Sequence, residues 1–310
     1  MSIRAYIKEI GRGKDGARSL SRKQAADLMG QLLDGQVTDL EVGAFCLAMR
    51  IKGETPEEMA GFLDAIHPRL QRLAAPSTQT TRTVVLPSYN GARKLPLLTP
   101  LLAGLLAQKG LSVLVHGCPT EDSRIFISKV LSPLIDIGFS ATDFLNPGSV
   151  CFVPTGQLHP GLQRLLDVRR VVGLRNPAHS LVKLMLPVDG PALLVSSYTH
   201  PEYLHSMTAT LALTHTQALL LRGTEGEPVA DPRRCPAMDG FVHGQVTRLQ
   251  EPQAGSLAQL PDLPTLDPQA TAEWTMQVLN GTRPVPEPIS IQVEHILHLA
   301  TQGIPHPAAT

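Results

Sequence analysis

The sequence predicts an α/β protein in two parts, a small all-helical domain and a larger α/β domain with a mainly parallel sheet. Two observations carry this reading. The first 72 residues hold repeated helix-start signals and no β-type run, and from Arg82 onward short apolar runs alternate with helical stretches. A third sets the scale: the 310 residues are 43% hydrophobic and only 17% charged, against roughly 25% charged in an average soluble domain. Such a chain buries a sizeable core and is not disordered.

Taken in order, Ser21 with Gln24 and Thr38 with Glu41 have capping-box spacing, in which hydroxyl and long polar side chain satisfy orphan amides, so two helices begin there. Thr55-Pro56-Glu57-Glu58 starts a third, whose apolar face is Met59, Phe62, Leu63 and Ile66 and which ends near Pro68. Residues 83–86, closed by Pro87, read as a strand, and residues 98–108, ended by Gly110, as a helix. Strand 111–116, helix 122–131 and strand 150–153 continue the alternation. Residues 160–186 break it with two helix-like stretches, read as an inserted helical hairpin. Strand 192–196, helix 202–213 and strand 218–221 restore it, and the proline-rich remainder carries helices around 273–279 and 289–299. The expected helical domain is therefore 1–75 with the hairpin 158–187, and the α/β domain is 76–157 with 188–310.

The most apolar stretch, 95–107, is broken by Pro96, Thr99, Pro100 and Gly104 and falls short of the roughly 20 residues of a membrane span. The start of the chain lacks an apolar signal region. Cys46, Cys118, Cys151 and Cys235 form no C-x-x-C pair, so free buried thiols in a reducing cytoplasm are expected, with no membrane partner.

Where the first strand meets its helix the chain reads Pro87-Ser-Tyr-Asn-Gly91-Ala-Arg-Lys94. Such a turn can cradle phosphate through backbone amides, but a single glycine favours an ordinary surface loop. Other constellations are weaker. His200, Glu202 and His205 do not converge on a helix, His295 and His298 lack a third ligand, and Ser196-Ser197 has no nucleophile-elbow context.

With Thr99, Gly110 and His116-Gly117 at unbroken spacing behind that loop, the chain resembles the anthranilate phosphoribosyltransferase family over nearly its whole length. The resemblance implies a nucleoside phosphorylase/phosphoribosyltransferase type of fold. It sets Ser88, Tyr89, Asn90 and Gly91 on the family's GTGGD loop, Thr99 in its NIST segment, and Val115-His116-Gly117 on its KHGNR motif. With Glu225, these residues (Ser88, Tyr89, Asn90, Gly91, Thr99, His116, Gly117) make a vestigial phosphoribosyl-diphosphate site in which most of the chemistry is missing. The family's adjacent acidic pair, which holds magnesium, is here Glu225-Gly226-Glu227. Alternate carboxylates point apart, so exposed loop glutamates and no metal are expected, with magnesium relevant only to a residual transferase.

The stretches LPSYNGARK, VHGCPTEDSR, GLRNPAHSLVKL and RGTEGE are similar to the YbiB-type branch of that family. That resemblance implies a homodimer that binds nucleic acid, DNA or RNA, without marked sequence preference and without catalysis. The alternative it leaves is a pentosyltransferase of residual or altered substrate, using Thr99, His116 and Glu225.

The zero net charge hides a strong polarity. Arg4, Lys8, Arg12, Lys14, Arg18, Arg22 and Lys23 face only Glu9 and Asp15 in the first 23 residues. In the hairpin Arg164, Arg169, Arg170, Arg175 and Lys183 face Asp167 alone, whereas residues 250–310 hold six acidic residues against Arg283. With Arg93, Lys94 and Arg124 across the cleft, these are the expected phosphate contacts. Aromatic residues make up 4%, and Tyr6 and Tyr89 are the candidates for stacking on bases.

Overall fold

The protein is described here from a computed structural model, which places residues 2–13, 15–75, 80–137, 139–140, 145–253 and 262–302. After α1 (Arg4–Ile10), the helices α2 (Arg22–Leu33), α3 (Asp39–Lys52) and α4 (Pro56–Ile66) start at Ser21, Thr38 and Thr55. All three starts are capping boxes, including the third, where Glu58 answers Thr55. Glu58 reaches further than its cap. Fully buried, its carboxylate accepts the Leu20 amide at 2.8 Å and the Lys52 ammonium at 2.5 Å, tying the approach to α2 and the end of α3 to α4.

The chain then crosses to the larger domain through β1 (Leu73–Ala74) and enters β2 (Thr83–Pro87), α5 (Thr99–Gln108), β3 (Val113–Gly117), α6 (Ile127–Leu131), β4 (Phe139–Ser140) and β5 (Val150–Pro154). The expected helix 122–131 is real only from Ile127. Upstream, Ile125 pairs with Ala92 in an isolated bridge and Arg124 donates to the carbonyls of Asn90 and Gly91, so the segment seals the loop after β2 instead of coiling.

Next come α7 (Thr155–Leu158), α8 (Pro160–Val172) and α9 (Ala178–Leu181). The inserted hairpin thus has one full helix and one single turn. Pro177 and the Asn176 side chain, which donates to the Leu165 carbonyl and accepts from the Ala178 amide, shape the second stretch as a turn. Helix α8 packs on α2 and α3, and α9 on α4.

After β6 (Val188–Asp189) follow β7 (Ala192–Tyr198), α10 (Pro201–Leu213), β8 (Ala218–Arg222), β9 (Met238–Val242), β10 (Gln245–Gln250), α11 (Pro268–Leu279) and α12 (Glu287–Thr301). The main sheet runs β10-β9-β8-β7-β2-β3-β5-β4, parallel from β8 to β4, while the hairpin β9-β10 is an antiparallel edge that sequence reading did not anticipate. Period-two alternation sorts the strands onto two cores. Val84, Leu86, Val113, Val115, Val195 and Leu219 meet Leu101, Trp274 and Ile296, and hence α5, α11 and α12. Val85, Leu114, Leu194 and Leu220 point the other way into a core continuous with the helical domain.

Candidate functional site

At the C-terminal ends of β2 and β8 two loops meet, the place where parallel sheets of this kind present ligand sites. The loop after β8 forms a 3-10 turn, Thr224–Gly226, in which Glu225 (φ 53°) and Gly226 (φ 87°) are both left-handed. Two successive left-handed residues reverse the chain, so Glu225 and Glu227 aim at the same loop. This corrects the expectation of exposed carboxylates pointing apart, which holds only for extended backbone. Gly226 is required for a second reason, since a Cβ there would lie 1.9 Å from Asn90 Nδ2.

Glu227 is 2% exposed. Its Oε1 accepts the amides of Asn90 and Gly91, both at 2.8 Å, and its Oε2 accepts the hydroxyls of Ser88 at 2.5 Å and Thr99 at 3.0 Å. Glu225, half-buried, accepts the amides of Arg93 at 2.7 Å, Lys94 at 3.0 Å and Leu95 at 3.3 Å. In place of the ordinary surface loop expected, residues 88–92 are buried and form an anion nest whose anions are the chain's own side chains. Magnesium does not fit this arrangement, because both oxygens of Glu227 are taken up by four donors and the Glu225 carboxylate by three amides. Among the described residues no group of three or more His, Cys, Asp or Glu side chains is placed to hold a metal ion.

The rest of the expected diphosphate site is structural. Tyr89 is buried, with its hydroxyl 2.8 Å from His116 Nδ1 and accepting from Thr155, so it is not available to stack on a base. Burial also pushes His116 down to about 3, keeping the imidazole neutral. Gly117 lets β3 approach the loop, since a Cβ would lie 2.0 Å from the Ser88 carbonyl oxygen.

The basic residues divide sharply. Arg4, Lys8, Lys23, Arg93 and Lys94 are exposed and have no ion-pair partner among the described residues. Arg12 and Arg18 share Glu9, Arg22 is paired with Asp64 and Arg164 with Asp39. Arg169 and Arg124 share Glu121, and Arg170 meets Asp122 and Asp167. Against the upward push of burial, hydrogen bonds from Arg169 and Ser123 and both arginine charges hold Glu121 at about 2. Lys14 lies outside the described residues. Tyr6 is half-buried and donates to Asp27 at 2.6 Å. Two of the expected surface cations face inward instead: Arg175 and Lys183 line a cavity of about 610 Å³ between the helical domain and the sheet, with Asn90, Asn176, His179 and Tyr203 also in its wall. Sequence reading missed His179 and Asn176, although both lie in the GLRNPAHSLVKL stretch it singled out.

With this geometry fixed, comparisons place the chain. A model described as "Glycosyl transferase family, helical bundle domain" matches residues 4–67. The Escherichia coli K12 protein named "Uncharacterized protein YbiB" is 40% identical over 300 residues, covering 94% of this chain and 92% of that one. This chain belongs to the YbiB family. The YbiB-family chain is also 27% identical to the anthranilate phosphoribosyltransferase of Methanopyrus kandleri, over 92% of its own length and 85% of the relative's. In fold it matches the anthranilate phosphoribosyltransferase of Thermus thermophilus, with TM-score 0.70 and 19% identity over 98% and 90% of the two chains. The Saccharomyces cerevisiae enzyme solved in complex with PRPP and Mg gives TM-score 0.67 at 15% identity over 98% and 89%. The fold expected from sequence, a helical domain and a larger α/β domain with a mostly parallel sheet, is thus the fold observed. No helix among the described residues is long and apolar enough to cross a membrane.

Proposed function

We propose that this YbiB-family protein is a non-catalytic nucleic-acid-binding protein on an anthranilate phosphoribosyltransferase-like scaffold, needing no metal or cofactor. The observation that carries the loss of catalysis is the Glu227 carboxylate, whose four donors are those a diphosphate would need. A diphosphate entering the loop meets two carboxylates instead of free amides, and like charges repel. Nucleic acid is supported by Arg4, Lys8, Lys23, Arg93 and Lys94, whose charges no carboxylate answers among the described residues. Such contacts go to phosphates and carry no sequence information.

The reading includes a homodimer. On α3, Leu40, Leu47 and Ile51 are 84%, 46% and 58% exposed and share one helical face. Gly43 between them has open space above it. Asp39, which meets Arg164 in its own chain, lies near one end of this stripe and Arg50 near the other, so an antiparallel two-fold pairing would bring each Arg50 toward that pair in its partner.

Fluorescence anisotropy with a single-stranded oligonucleotide tests the proposal. Binding at low salt that weakens linearly in log salt is expected, and Arg93→Glu with Lys94→Glu weakens it for all sequences alike. Absence of binding at low salt, or binding indifferent to salt, overturns it.

A second reading is favoured by the names of the relatives and by the 610 Å³ cavity. In it the protein is a pentosyltransferase with an altered substrate, working with Thr99, His116 and Glu225. Phosphoribosyl diphosphate with magnesium then raises the melting temperature, and no shift at millimolar concentration removes this reading.

A further inference from the structure

Lys183 stands in the wall of the interdomain cavity with no ion pair among the described residues. It is 9% exposed, and its Nζ donates to the carbonyls of Gly226 at 2.8 Å and Ser197 at 3.3 Å. An ammonium has three donors, so these two contacts leave one unused. Burial lowers its proton affinity, with Glu227 opposing and Arg175 assisting, and holds the amine at about 8. Near that pH a large share is neutral amine, the nucleophilic form.

Two neighbours make the wall a built site. His179, four residues before Lys183, is 8% exposed, and its Nε2 has no hydrogen-bond partner among the described residues although the residue lines the same cavity. Burial, with the charges of Arg175 and Arg169, pushes it down to about 3, so the ring is neutral and adds no charge beside the amine. Arg175 lines the cavity with no ion pair among the described residues, which leaves its guanidinium free for an anion. A volume of about 610 Å³ suits a small molecule.

We propose that Lys183 is an imine-forming residue that captures small carbonyl compounds bearing a carboxylate, such as 2-oxo acids and aldehyde acids, with Arg175 meeting the carboxylate. The Nζ lone pair attacks the carbonyl carbon, and the oxygen takes up a proton to give a carbinolamine. A proton passes from nitrogen to the departing hydroxyl, the C–O bond breaks, and a C=N bond and one water result. No oxidant or reductant enters the step.

The full-length protein is incubated with glyoxylate and cyanoborohydride at pH 8, and modified lysines are mapped by peptide mass spectrometry. Lys183 is expected to be labelled at least about tenfold faster than any other lysine, and Lys183→Arg removes that fast label. Label spread over exposed lysines with Lys183 unmodified overturns the proposal. Arg175→Met, checked for an unchanged melting curve, slows glyoxylate labelling about tenfold while sparing acetaldehyde labelling. Arg175→Lys, which keeps the charge, serves if the methionine variant does not fold. Equal labelling by both aldehydes in the wild type, or equal loss of both in the variant, overturns the assignment of Arg175.

Discussion

The carboxylate of Glu227 accepts the backbone amide of Gly91 at 2.8 Å across 136 residues of sequence, closing the loop after β2 with an internal anion. Glu227→Ala leaves the amides of Asn90 and Gly91 and the hydroxyls of Ser88 and Thr99 buried without their acceptor. Each unsatisfied buried donor costs about 1–3 kcal/mol. The variant is expected to lose about 3 kcal/mol or more in urea denaturation, part of it recovered by acetate or phosphate entering the vacated nest. A variant as stable as the wild type contradicts the role given to Glu227.

In the helical domain the buried pair Lys52–Glu58, at 2.5 Å, makes a second strong demand. Glu58→Ala strands a nearly buried ammonium and frees the Leu20 and Thr55 amides. Breaking one side of such a pair costs about 3–5 kcal/mol. Lys52→Met combined with Glu58→Ala is expected to cost less than the two single changes added together, because the stranded charge is gone. A double-mutant cycle checks this, and simple additivity contradicts it.

Much of the fold is legible in the chain because its signals are local. The hydroxyl-to-carboxyl spacings at Ser21, Thr38 and Thr55 need only the residues themselves, and the apolar runs from Val84 to Leu221 report strands buried on both faces. What was not legible depends on distant partners. Residues 122–126 have helical composition, but Arg124 and Ile125 are recruited by Asn90, Gly91 and Ala92. The inward turn of Glu227 depends on left-handed backbone at Glu225 and Gly226, to which only the glycine was a clue. Counting Arg and Lys along the sequence overstated the basic surface, since the carboxylates of Asp39, Asp64, Glu121 and Asp122 that answer them lie far away in the chain.

Three histidines, His116 and His179 buried and His67 half-buried, set the acid response. Burial pushes His67 to about 4 and His116 and His179 to about 3, whereas an unfolded histidine titrates near 6.5. Between pH 6.5 and 4 the unfolded chain binds these protons and the folded chain does not, so stability is full above 6.5 and falls as pH falls. Glu54, pushed up by burial, acts in the opposite sense. Through these three rings, unfolding near pH 5.5 is therefore expected to take up about two to three protons. Urea midpoints from pH 5 to 7.5 measure this, and a flat profile contradicts neutral burial of the three rings.

The dimer face proposed on α3 would couple assembly to the proposed nucleic-acid binding. Leu47 sits mid-stripe, 46% exposed, where an aspartate would place two like charges near the proposed two-fold axis without touching the core residues Phe45 and Met49. Leu47→Asp is expected to sediment as a monomer at micromolar concentration with an unchanged melting onset in dilute solution. Halving the number of cations that can reach one strand also halves the phosphates neutralised, so the slope of log affinity against log salt should fall by about half. A variant that remains dimeric moves the interface away from α3. One that is monomeric but keeps the full salt slope assigns all phosphate contacts to a single protomer.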